Sequence, residues 1–164
     1  MSPLNISETI ALFTEVSVAL TGFAGVASAF VSRDRELTPL DRVRMHSVIA
    51  LSSSVLAGCL AFITAEFAEL PVSASVRWAG IAGFTASLLF LVVYFPRGRR
   101  AEVDRDIAFR KSVALLSAAV LVLTIVLYAC VVASPNQQVW LAAAFSLQLL
   151  HCIWMFVRLL GRPT

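Results

Sequence analysis

Charge is scarce in this chain. Asp, Glu, Lys and Arg make up 14% of its 164 residues, where a soluble domain carries about 25%. Mean hydropathy is +0.86 and 59% of the residues are hydrophobic. These apolar residues fall in blocks, a pattern that argues against a water-soluble globule and matches lipid as the solvent. Lysine is nearly absent: Lys111 is the one lysine among thirteen basic residues. Histidine is limited to His46 and His151, and cysteine to Cys59, Cys130 and Cys152 without a C-x-x-C pair. Isolated cysteines in apolar segments behave as small hydrophobes, so neither a disulfide catalyst nor a thiolate metal site is expected. The two histidines sit at different depths, which argues against a pair of axial haem ligands. No metal constellation and no nucleophile–base arrangement is visible, so no cofactor, metal or enzymatic activity is expected. An aromatic-interleaved basic patch is also missing. The net charge of +3 and pI near 9.1 therefore read as the positive-inside bias of membrane loops, with no nucleic-acid partner.

What is present organises itself around Thr9–Val31, a run of 23 residues whose one charge is Glu15. Roughly 20 mostly apolar residues cross the ~30 Å of a bilayer's hydrocarbon at ~1.5 Å per residue. Four more runs follow, giving spans at about 9–31, 46–65, 78–95, 113–133 and 139–160. The fold expected is all-α: one transmembrane domain over residues 1–164, a bundle of five helices. Thr38-Pro39-Leu40-Asp41 reads as a helix start, with Thr38 as cap and Pro39 at the first helical position. Pro71 separates spans two and three, with Ser73 and Ser75 as caps for the next helix. Pro96-Arg97-Gly98 is expected to stop span three. Ser134-Pro135-Asn136-Gln137 has the form of a capping box, which makes the link to span five a tight hairpin.

The arginines orient these spans. With the amino terminus outside and the carboxy terminus in the cytoplasm, twelve of the thirteen basic residues lie inside and Arg77 alone lies outside. The bias of basic residues towards cytoplasmic loops decides for that orientation. Arg42, Arg44, Arg97, Arg99, Arg100 and Arg105 then form basic cytoplasmic helix ends, suited to anionic membrane lipid or a protein partner. Glu66 and Glu69 flank the outer turn, as solvated interfacial carboxylates or as a cation-attracting vestibule.

Few groups inside the spans can carry chemistry. Glu15 stands about 9 Å into span one by helix rise, and a carboxylate there is costly unless it faces protein or water. Glu8, Glu15, Gly22 and Ala29 share a face, and Ala19, Gly25 and Ser28 flank it, a small-residue surface suited to close helix approach. Ala79, Gly83 and Ser87 repeat that pattern in span three, and both faces suggest a homo-oligomer. In span five Ala144, Gln148, His151, Met155 and Arg158 share a face. Glu15, Gln148 and His151 thus form either a polar pathway or separate hydrogen bonds that specify packing. In span four Ser117, Thr124 and Tyr128 make a weaker polar stripe.

Two resemblances arise. The string FTEVSVALTG around Glu15 resembles the first helix of small multidrug resistance transporters, which implies by analogy a proton-coupling glutamate. GFAGVASAF, DRVRMHSVIALSS and the proline-marked end at Leu70-Pro71 resemble a family of small bacterial integral membrane proteins of unknown function. This second likeness covers roughly the first half of the chain and implies residence in a bacterial inner membrane, without an activity. Two functional readings stand from the sequence. One is an ion- or proton-linked channel or transporter using Glu15; the other is a non-transporting scaffold, anchor or regulatory subunit.

Overall fold

Helix α1 runs over Ile6–Asp34, α2 over Pro39–Phe67, α3 over Val72–Arg100, α4 over Ile107–Ala133 and α5 over Gln137–Leu160. The computed structural model describes residues 5–34, 39–100 and 107–160. Thr38 and Arg105 lie outside the described residues. The all-helical expectation holds. Three stretches, Ile6–Ala27, Arg44–Phe67 and Gln137–Arg158, are long and apolar enough to cross a membrane, and Ala118–Ala133 is a shorter apolar helix.

Local chemistry explains several boundaries. Pro39 opens α2, where its missing N–H is one the first turn leaves unbonded in any case. At the far end of α2, Leu70 N–H donates to Ala65 O at 3.1 Å and Glu69 N–H to Glu66 O at 2.9 Å. These are the two bonds of a Schellman motif, and its left-handed position is held by Glu69 at φ 56°. Pro71 follows at once, where the helix has already stopped.

Three expectations need correction. The α3 helix passes through Pro96 and ends at Arg100. A proline withholds a single N–H, and so close to a helix end the turns behind it hold the backbone in place. Ser73 and Ser75 do not cap α3: Pro71 O accepts the first backbone bonds, from Ala74 and Ser75, and Ser75 Oγ donates back to the same oxygen at 3.4 Å. The capping box before α5 does not form either. Asn136 O accepts from Val139 and Trp140, while Ser134 Oγ accepts from Asn136 N–H at 3.2 Å. The connection is nonetheless the expected short hairpin, Ser134 to Asn136.

The bundle has a hub and an edge. Helix α5 touches each of the other four, α2 touches α1, α3 and α5, and α1 touches α2 and α5. Two apolar cores result. The larger joins Val55, Phe62, Val76, Tyr128, Val131, Leu141 and Phe145, and the smaller joins Ala24, Val48, Leu51, Cys152 and Met155. Phe145 is central to the first, edge-on to Phe13 of α1 at 5.5 Å and to Tyr128 of α4 at 6.3 Å. Close approach of α2 is what admits it. A Cβ on Gly58 would lie 2.5 Å from Phe145 Cζ and 3.0 Å from Ala79 O.

Candidate functional site: a closed polar node and an outward glutamate

Gln148 stands on the face of α5 that turns into the bundle, and its side chain is 1% exposed. An amide in apolar surroundings must find its partners on neighbouring helices. It does so three times. Nε2 donates to Ser87 Oγ of α3 at 2.6 Å and to Ser54 Oγ of α2 at 3.2 Å, and Oε1 accepts from Tyr128 Oη of α4 at 2.8 Å. The two serines are 3.3 Å apart, and each also donates within its own helix, Ser87 to Gly83 O and Ser54 to Leu51 O, both at 2.7 Å. Gly83 makes room for the phenol: a Cβ there would meet Tyr128 Oη at 2.6 Å. Four helices are thereby tied at one point, and the amide's donors and acceptor are all used.

This placement corrects the expectation for span three. Ala79, Gly83 and Ser87 are buried within the chain, facing Tyr128 and Gln148, so that stripe is not a surface for self-association. The matching stripe of α1 behaves oppositely. Glu8, Glu15, Ala19, Gly22, Gly25 and Ala29 are exposed, and a Cβ on Gly22 or Gly25 would have nothing within 4 Å. Glu15 therefore stands on the outer side of the edge helix, apart from Gln148. The inner side of α1 is fastened by Thr21 and Ser52, whose hydroxyls lie 2.8 Å apart, and by Ser7 Oγ donating to Glu66 Oε1 at 3.1 Å.

His151 is buried but leaves the Gln148 node. Its ring lies 5.5 Å from that of Trp154, and both line a cleft between α4 and α5. His46 is exposed near the start of α2. Of the basic candidates, Arg44 is 4% exposed and its Nη1 lies 3.5 Å from Arg158 O. A cation beside the last carbonyls of α5 meets the negative end of the helix dipole. Arg42 stands in the first turns of α2, and Arg97, Arg99 and Arg100 in the last turn of α3. All of these lie at the end of the bundle where α5 finishes.

The opposite end is held by polar groups that sequence patterning missed. With its amide oriented by its surroundings, oxygen towards Arg77 and nitrogen towards Ser73, Gln137, buried at the start of α5, accepts from Arg77 Nε at 2.9 Å and Nη2 at 3.0 Å and donates to Ser73 O at 3.1 Å. Beside it, an open cleft of about 350 Å³ lies between the start of α3 and the α4–α5 hairpin, bordered by Ser73, Asn136 and Gln138. Glu66 and Glu69 are exposed at the α2–α3 turn. Among the described residues, no three of His, Cys, Asp or Glu converge as metal ligands.

Chemically, the node is a fastener. It holds its protons in closed bonds and presents no nucleophile to a substrate. Compared with protein-family models, with curated proteins and with solved structures, the chain matches none.

Proposed function

We propose that this chain is a five-span protein of a bacterial inner membrane, with its amino terminus outside and its carboxy terminus in the cytoplasm. Within that setting it acts as a non-transporting component, a scaffold, anchor or regulatory subunit without catalytic activity or cofactor. Its basic cytoplasmic helix ends engage anionic lipid or a protein partner. One observation carries this reading: the amide of Gln148 is closed on Ser54, Ser87 and Tyr128. A side chain that passes ions or protons along a path must exchange its partners with water. This one has its partners fixed inside the bundle.

A second reading has its own support. Glu15 faces outward along α1, and the openness at Gly22 and Gly25 admits the close approach of another helix. In a homo-oligomer built on that face, Glu15 would line a shared interface and serve an ion- or proton-linked channel or transporter. Flux into proteoliposomes, measured with and without a pH gradient for wild type and Glu15→Gln, separates the two. The first reading expects no cation or proton flux from correctly inserted wild-type protein. Flux that disappears in Glu15→Gln, with the oligomeric state unchanged, would replace it by the second.

A further inference from the structure

We draw no further inference here: the strongest candidate, the open cleft between the start of α3 and the α4–α5 hairpin, offers only the amino-terminal ends of two helices and a buried amide, Gln137, already bonded to Arg77 and Ser73, so nothing in the structure points to a ligand there.

Discussion

Replacing Gln148 by leucine, of similar size but without the amide, removes three interhelical hydrogen bonds at once. Interhelical side-chain bonds in membrane bundles are worth ~0.6 kcal/mol on average and up to ~1.7, so three amount to roughly 2 kcal/mol. The partners are left unequally. Ser54 and Ser87 keep their bonds to Leu51 O and Gly83 O, but the bond that Tyr128 donates to Oε1 is lost, and an orphaned buried hydroxyl costs about 1–3 kcal/mol. Gln148→Leu should therefore lose roughly 3–5 kcal/mol. Tyr128→Phe removes one of the three bonds and should lose about 1 kcal/mol. Their combination should lose less than the sum by about 2–4 kcal/mol, because the leucine has already broken the bond that the phenylalanine would remove and the phenylalanine removes the hydroxyl that the leucine orphans. Equilibrium unfolding of the purified protein in mixed micelles, followed by circular dichroism as denaturing detergent is added, gives all three values. A Gln148→Leu protein within about 0.5 kcal/mol of wild type, or strict additivity in the double variant, would refute the node as a fastener.

Two further substitutions test the backbone. Glu69→Gly places the residue with free access to the left-handed region at the φ 56° position, and the same titration should show a gain of about 0.5–1 kcal/mol; a loss would mean that the exposed carboxylate itself holds the turn. Gly58→Ala puts a methyl against Phe145 Cζ and Ala79 O and should lower stability by about 1–3 kcal/mol. A neutral Gly58→Ala would mean that α2 and α3 do not approach as closely as the structure has them.

Features decided within a turn of chain were legible in the sequence. Pro39 at a helix start and the short hairpin before α5 depend on neighbours a few residues away. Features decided between helices were not. Gln137 three residues after Ser134 has the spacing of a capping box, yet its amide goes to Ser73 and Arg77 of α3, because a cationic donor is stronger competition than a backbone N–H. Ser52, Ser53 and Ser54 are alike in sequence, but Ser52 and Ser54 are buried while Ser53 is exposed. The rotation of α2 about its axis settles which of them meets Gln148. In sequence the small-residue stripes of α1 and α3 are equivalent. They differ because α3 packs between neighbours on two sides whereas α1, the edge helix, touches α2 and α5 on one.

That edge position sets the question for Glu15. A carboxylate at the centre of a span costs about 2.5–3.5 kcal/mol on insertion scales, falling towards the interface. Nothing in the node offsets it, since Gln148 has its amide committed to three other helices and the α1 face carrying Glu15 is turned away from them. The offset must come from outside the chain, from interfacial water about 9 Å along the helix or from a helix laid against Gly22 and Gly25. Residues that fasten the bundle and residues that face its surroundings are thus separate sets. Gln148, Ser54, Ser87 and Tyr128 specify how four of the helices pack, so their loss should register as stability. Glu15 lies on the exposed side of the edge helix, so its loss should leave a chain that still folds.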